Sequence, residues 1–249
     1  MDIGIILTLL LIAGFLYLIY RAIKIVLKLI KRIFFKKKNQ SFSTQAINRY
    51  RRTNARFDLL EWIDDDLTDI IVLDTETNGK NPGEYSVLSI GAIRVRWDKN
   101  SGFKEISRLE RYYYPREPFN EEAIRVNGLN KEAIKRIRGD ANYPKYFDED
   151  KEFEQFCEGV HMFAGHNISF DAGFVPIIKK YRRFDTMKAN MDIICVYWIN
   201  KKQEWKYPSL SETANYYQIK YDSDKMHGAI YDAEITLKIL KKMFEQASL

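Results

Sequence analysis

One stretch near the N-terminus cannot lie exposed to water: the uncharged, mostly apolar run IGIILTLLLIAGFLYLIY at residues 3–20. As an α-helix it would be about 27 Å long, close to the thickness of a bilayer's hydrocarbon core. A cleavable signal peptide is the alternative, but it needs basic residues before the run and an A-x-A-like cleavage site after it. Because the sequence has neither, we expect an uncleaved transmembrane helix.

The basic charge of the chain is concentrated directly after this run. Residues 1–40 carry eight Lys or Arg and one acid, Asp2, whereas the whole chain has a formal net charge of +6. The rest of the chain is therefore close to neutral, so the net charge does not make it a basic nucleic-acid binder. The positive-inside rule places the residues after Arg21 in the cytoplasm and the N-terminus outside.

The basic residues from Arg21 to Lys31 recur at helical spacing between apolar ones, which predicts an amphipathic helix lying on the anionic cytoplasmic leaflet. We therefore divide the chain into an anchor and juxtamembrane helix at 1–38, a linker at 39–68 and a globular domain at 69–249. The two cysteines give no disulfide framework and no zinc-ligand pairing.

The domain reads as a mixed α/β sheet covered by helices. Its first three apolar segments, at 70–74, 86–96 and 103–114, predict an antiparallel run of strands, and a fourth strand is expected at 161–167. Periodic patterns predict helices in six places. Their ranges are 120–137, 150–160, 169–182, 192–200, 209–217 and 230–246.

The first strand ends in two carboxylates, in the sequence IVLDTETNG. Residues two apart in a strand point to the same face, so Asp74 and Glu76 would project together. Like charges this close raise one another's pKa unless a cation lies between them, and a divalent metal would serve. The alternative is an ordinary polar surface turn after the strand.

A third acid stands in AGHNISFDAGF, where Ser169 is the expected N-cap and Asp171 falls in the first helical turn. The helix dipole alone would account for a lone aspartate there. The fourth, Asp232, lies on the inward-facing stripe of the last helix, in HGAIYDAEITLKIL, and needs a partner. Gly228 allows His227 to lie on the preceding loop and turn toward the same site.

Taken in order, DTET at 74–77, HNISFD at 166–171 and HGAIYD at 227–232 resemble the three motifs of the DEDDh (DnaQ-like) 3′-5′ exonucleases. The tyrosine branch of that family would need tyrosine at position 228, which is glycine. The segment IRVNGLNKEAI at 124–134 is also similar to the family, and the resemblance covers about residues 70–246.

The resemblance implies an RNase H-like exonuclease fold and two divalent cations, Mg²⁺ or Mn²⁺. It implies that Asp74 bridges both cations, that Glu76 and Asp232 hold the one that binds the attacking water, and that Asp171 serves the other. It also implies that His227 accepts the water's proton. Histidine suits that role because its side chain titrates near neutral pH.

For the substrate, the resemblance implies nucleic acid shortened from its 3′ end with release of nucleoside 5′-monophosphates. Thr77 and Leu129 would contact the terminal nucleotide, and Phe170 would support the site. The sequence leaves DNA and RNA open, and we expect short single strands or 3′ ends. A catalytically silent, membrane-tethered module that binds nucleic acid or acts as a scaffold is the alternative, although it predicts a missing ligand.

Overall fold

The computed structural model describes residues 67–98, 100–199 and 204–247. No helix within these residues is both long and apolar enough to cross a membrane. The predicted transmembrane run at 3–20, the juxtamembrane helix and residues 39–66 of the linker lie outside the described residues. Leu67 and Thr68, the last two residues of the predicted linker, already belong to the first strand.

A five-stranded mixed sheet forms the centre of the domain, in the order β3-β2-β1-β4-β5. β1 pairs antiparallel with β2, and β2 with β3, while β4 runs parallel to both β1 and β5. The bounds of the strands are Leu67–Thr77 for β1, Val87–Asp98 for β2, Gly102–Tyr112 for β3, Met162–Gly165 for β4 and Arg182–Asp185 for β5.

Seven helices are described around this sheet, together with short 3-10 turns and a two-stranded hairpin. The helices are α1 Glu121–Asn127, α2 Lys131–Arg138, α3 Lys151–Phe156, α4 Ile168–Phe174, α5 Thr186–Ile194, α6 Leu210–Tyr216 and α7 Ala229–Ala247. The hairpin pairs β6, Trp198–Ile199, with β7, Glu204–Trp205.

Alternation along β1 gives the sheet two buried faces. Ile70 and Val72 point toward α7 and join one core cluster, whereas Ile71 and Leu73 join a second cluster on the other face with residues of α3 and α4. All four side chains are fully buried. A strand covered on both faces reads as a continuous apolar run, which is why IIVL marks β1 so clearly in the sequence.

The structure confirms the mixed α/β sheet and its first three strands, as well as helices close to the predicted positions at 150–160, 209–217 and 230–246. The predicted helix at 120–137 is wrong as a single element, because Gly128 ends α1 in a left-handed conformation and Asn130 caps α2. The Asn130 side chain accepts a hydrogen bond from the Ala133 N–H, which starts the second helix separately.

Two further helix predictions are wrong. The helix expected at 169–182 already ends at Phe174, since Pro176 starts a 3-10 turn, and β5 follows. β5 has two exposed arginines among its four residues, so it carries no apolar strand signal. The helix expected at 192–200 occupies 186–194 instead: Asp185 caps its start, and Cys195 ends it with a φ of 53°.

The close approach of α7 to the sheet depends on one glycine. A Cβ atom at Gly91 of β2 would lie 2.2 Å from the Ile230 nitrogen and 2.4 Å from the Ala229 carbonyl carbon. Those atoms are backbone, so they cannot move aside as a flexible side chain can. Gly91 therefore sets how near the first turn of α7 comes to β1, and Asp74 is its direct partner on that strand.

We predict that Gly91→Ala lowers the free energy of unfolding by about 2 kcal/mol or more, because overpacking forces the helix off the sheet. Denaturant unfolding measures the loss. Gly83→Ala is the control, because its Cβ would meet no atom within 4 Å. The only cost of this substitution is the backbone strain of a φ of 91°, about 1 kcal/mol. Equal losses in the two variants would contradict the tight contact.

Candidate active site

Asp74 and Glu76 lie near the end of β1, on the sheet face that α7 covers. They continue the alternation of Ile70 and Val72, so both carboxylates point the same way, as the sequence predicted. The pairing of β1 with β2 shifts register between Glu76 and Thr77, where the regular strand pairing ends. The two acids thus occupy the end of a rigid central strand.

Asp171 comes from α4 and is fixed by a hydrogen bond from β1. The Thr75 hydroxyl donates to Asp171 Oδ1 at 2.8 Å, and the aspartate is buried. Ser169 is not the N-cap that the sequence predicted. The helix begins at Ile168 after Asn167, which adopts a left-handed conformation (φ 75°) and makes no side-chain cap.

Asp232 lies in the first turn of α7, and His227 lies in the turn that precedes the helix, as predicted. His227 has a φ of 66°, and its backbone N–H donates to Asp232 Oδ2 at 3.2 Å. One potential ligand atom from each of Glu76, His227 and Asp232 lies within 4.8 Å of the others. The structure therefore brings Glu76 into one cluster with His227 and Asp232, which follow it by 151 and 156 positions in the chain.

The pKa values of all four carboxyl groups are raised. For Asp74, burial and then the charges of Asp171, Glu76 and Asp232 hold the pKa well above its usual range. Burial and the Asp232 charge raise the pKa of Glu76 to about 8. Burial also raises the pKa of Asp171 to about 7 and that of Asp232 to about 6. The site is thus short of positive charge.

These residues fit a divalent cation. Asp232 Oδ1 is buried, and it finds no hydrogen-bond partner in the described part of the chain. A buried carboxylate oxygen without a donor is costly unless a cation supplies the missing charge. Carboxylate oxygens are the ligands that hard cations such as Mg²⁺ and Mn²⁺ bind. The donor set and the unmet oxygen therefore both point to a metal site.

Sequence reasoning missed three residues that build this site. Thr75 holds Asp171, and Gly91 admits α7. Asn127, at the end of α1, donates from Nδ2 to the Thr77 carbonyl at 3.2 Å, and a hydrogen bond from its side chain lowers the pKa of Glu76. Asn127 lies within the segment that resembles the family, but a lone asparagine before Gly128 reads as a helix end.

The three predicted substrate residues are placed around the carboxylates rather than among them. Thr77 is buried, and its hydroxyl donates to the Gly79 carbonyl at 2.6 Å. Leu129 is buried in a small cluster with Leu88 and Ile134. Phe170 is partly buried and packs against Phe174, with 5.1 Å between the two ring centroids. Their contact with a nucleotide stays a prediction.

We predict that the metal-free protein becomes less stable as pH rises from about 5 to 8. The carboxyl groups have higher pKa values folded than unfolded, so the folded state binds more protons in this window, and raising the pH removes that stabilisation. The slope is about 1.4 kcal/mol per pH unit for each group that titrates. Denaturant unfolding in EDTA at several pH values measures it.

Glu76→Gln is the matched test, since it removes the carboxyl group whose pKa is about 8 while preserving its size. We expect a flatter pH dependence between pH 6 and 8 in this variant. Asp140→Asn changes an exposed acid and should keep the wild-type slope. If stability depended on pH with the same slope in all three proteins, the raised pKa of Glu76 would not contribute to the stability of the folded state.

Comparison with known families covers most of the domain. The family model described as Exonuclease (RNase_T) matches residues 71–240, a range that contains all four carboxylates and His227. The chain is 26% identical over 183 residues to the DNA polymerase III subunit epsilon of Pasteurella multocida, covering 70% of this chain and 67% of that protein. It is also 26% identical over 177 residues to a PolC-type DNA polymerase III of Bacillus cereus, covering 70% of this chain but only 11% of that much longer protein.

Solved structures share the fold. Exonuclease X in complex with 5′ overhanging duplex DNA superimposes with a TM-score of 0.50 at 19% identity, covering 73% of this chain and 93% of that one. E. coli Exonuclease I in complex with a 5cy-dT13 oligonucleotide also gives a TM-score of 0.50, at 14% identity, covering 72% of this chain and 40% of that one. The match of the family model to more than half of the chain establishes that this protein belongs to the exonuclease family, as a DnaQ-like 3′-5′ exonuclease.

Proposed function

We propose that the protein removes nucleotides one at a time from the 3′ end of DNA or RNA, releasing nucleoside 5′-monophosphates with the help of two divalent cations, Mg²⁺ or Mn²⁺. The observation that carries the proposal is the convergence of Asp74, Glu76, Asp171 and Asp232 with His227 at one end of the sheet. A catalytically silent module would have no use for four clustered acids, two buried and two half-buried, whose pKa values are all raised.

The four carboxylates would hold the cations, with Asp74 central because the charges of the other three all act on it. When bound, two such cations lower the pKa of a water molecule and stabilise the entering and leaving oxygens of a displacement at phosphorus. The buried oxygen Asp232 Oδ1 is directly available as a ligand.

The remaining residues of the site position these ligands and move the proton. The side chain of His227 is exposed while its backbone is tied to Asp232, so the ring can approach substrate from the solvent side and accept a proton at a ring nitrogen. The Thr75 hydroxyl keeps Asp171 in place, and Asn127 keeps Glu76 in place. Thr77 and Leu129 would contact the terminal nucleotide, and Phe170 would support the site.

We further propose that residues 3–20 anchor the protein in the cytoplasmic membrane as a single span, with the N-terminus outside and the exonuclease domain in the cytoplasm. The support is the uncharged run and the basic residues that follow it. The substrate would be single-stranded nucleic acid or a 3′ end, since structures with this fold have been solved with an oligonucleotide and with duplex DNA carrying a 5′ overhang.

We predict that the full-length protein shortens 5′-labelled single-stranded DNA or RNA from the 3′ end in Mg²⁺ or Mn²⁺ but not in EDTA. Asp74→Asn should lower the rate at least about a thousandfold, because the central ligand is lost. His227→Gln should lower it by about a hundredfold, because the base is lost while the carboxylates remain. A gel ladder followed over time measures both.

Asp140→Asn is the control, because it changes an exposed acid in the turn after α2 and should leave the rate unchanged. Comparing DNA with RNA of equal sequence identifies the preferred sugar. If neither strand shortens in either metal while the protein still binds the oligonucleotide, the silent binding module is the correct alternative.

We predict that the full-length protein floats with phosphatidylcholine vesicles in a density gradient and resists extraction by high salt. A transmembrane helix is held by apolar burial, which salt does not weaken, whereas a peripheral basic contact is screened. Leu10→Lys with Ile12→Lys is the matched test, since two charges at the middle of the run should abolish flotation. Release of the wild-type protein by salt would contradict the anchor.

A further inference from the structure

The end of the sheet opposite the carboxylates is basic. β1, β4 and β5 are parallel, so all three begin at this end and finish at the catalytic end. Along β1, Asp69 is five residues before Asp74, about 17 Å at the rise of a strand. We define the basic edge as the lysines and arginines of this end: Arg94, Arg96, Lys104, Lys179, Lys180, Arg182 and Arg183.

Strand register brings these residues together from distant parts of the chain. Arg96 of β2 lies opposite Asp69 on the neighbouring strand β1 and opposite Lys104 on the other neighbouring strand, β3. On the far side of β1, Met162 pairs with both Ile70 and Arg182, so the start of β5 is nearly level with Asp69. Lys179 and Lys180 end the 3-10 turn directly before β5. The basic edge therefore crosses the whole width of the sheet.

The charge of this edge is only partly neutralised. Asp69 accepts from both Arg94, at 2.8 Å, and Arg96, at 2.6 Å, so one carboxylate serves two guanidinium groups. Arg96 is still about half exposed, at 49% of its side chain. Lys179, Lys180 and Arg183 are exposed, and within the described residues no ion pair neutralises them.

Acids are fewer at this end. Within the described ranges they include Asp69, Asp98, Glu105 and Glu158. Glu245 follows Phe244, whose ring packs against Trp97 at this end, and Glu154 precedes Cys157; these two acids are paired with Lys242 and Lys151. Asp69 forms ion pairs with two arginines, and Glu105 forms an ion pair with Arg108. The edge therefore keeps an excess of positive charge, while the far end of the same sheet carries the four catalytic carboxylates.

We propose that the basic edge rests on the anionic lipid headgroups of the membrane that holds the protein, a proposal that depends on the membrane anchoring proposed above. Two observations favour lipid as the occupant. The charge is complementary to anionic headgroups. In addition, β1 begins at Leu67 on this same end, so the segment carrying the apolar run joins the domain here.

Protection of the sheet edge explains only part of this charge. Basic residues on an edge strand prevent it from pairing with other strands, and β5 is an edge strand. That role accounts for Arg182 and Arg183. It also accounts for Lys104, because β3 is the other edge strand of the sheet. It does not account for Lys179 and Lys180, which precede β5.

The consequence is an orientation of the active site. An anionic leaflet attracts the basic edge and repels the carboxylates, so both forces turn the catalytic end away from the lipid. The 3′ end of a nucleic acid, which is itself repelled by the leaflet, would then meet the site from the cytoplasmic side.

Lysine footprinting of the full-length protein tests this contact. The protein is placed in vesicles of phosphatidylcholine alone or with about a third phosphatidylglycerol. It is acetylated briefly in EDTA, and mass spectrometry measures the extent of acetylation at each lysine. We expect Lys179 and Lys180 to react severalfold more slowly in the anionic vesicles, with recovery in high salt. Lys131 and Lys135, on the helix that packs at the catalytic end through Ile134 and Leu88, should react equally in both.

A triple variant supplies a second readout. Lys179→Gln with Lys180→Gln and Arg183→Gln should remove the lipid-dependent protection of Lys104, whereas Lys131→Gln with Lys135→Gln and Arg136→Gln should retain it. Equal reaction of Lys179 and Lys180 in the two kinds of vesicle would overturn the proposal. So would protection by an added oligonucleotide in phosphatidylcholine vesicles without protection by phosphatidylglycerol, which would assign the edge to nucleic acid.

The anchor and the nuclease activity are tested separately. Flotation with phosphatidylcholine vesicles reports on the anchor alone, because those vesicles have no net charge. If the protein fails to float, the anchor proposal fails, and protection of Lys179 by added anionic vesicles still decides whether the edge binds lipid. The ladder assay is independent of both results.

Discussion

Repulsion among four carboxylates is the constraint on which the rest of the site depends. Burial raises the pKa of each group, and the charges of neighbouring carboxylates raise those of Asp74 and Glu76 further; at Asp74 the other three act together. Bringing these carboxylates together lowers the stability of the folded protein, and binding of a cation would raise it again. The site is therefore a place where stability is given up for function, and the surrounding structure must be rigid enough to hold it.

That rigidity comes from two contacts to β1 and one close contact between α7 and β2. Thr75 points to the opposite face of the sheet from Asp74 and holds Asp171 there by a hydrogen bond. Adjacent residues of β1 therefore contact the helices on the two different faces of the sheet. Asn127 ties α1 to the end of the strand at Thr77. Gly91 lets α7 approach the sheet closely enough for Asp232 to reach the same point. Each contact joins segments far apart in the chain, so the site forms only when the sheet and its helices have packed.

The topology also separates charge along the strands. Since β1, β4 and β5 run in one direction, the acids at or just after the ends of β1 and β4 collect at one end of the sheet, and the basic residues at the start of β5 lie at the other. A parallel arrangement thus gives a charge asymmetry that the near-neutral total charge of the domain conceals. This asymmetry provides a physical basis for orienting the domain at a charged surface.

Much of this could be read from the sequence, and the failures have a common cause. Continuous apolar runs identified β1 and β2, and the spacing of Asp74 and Glu76 placed both on one face, because strand alternation is a local property. The predictions failed at Ser169, at the helix expected over 192–200 and at β5. There the local pattern was overridden by a left-handed residue at Asn167, by a cap at Asp185 and by pairing of a charged strand with β4.

The sequence by itself determined the mixed α/β class, the motifs that carry the acids and the position of His227 before the last helix, since each depends on short-range periodicity or on neighbouring residues. Only the tertiary structure decided that Gly91 sits beneath α7, that Thr75 holds Asp171, and that a basic edge lies opposite the acids. These depend on strand order and register, which pair residues a hundred positions apart and leave no local trace in the chain.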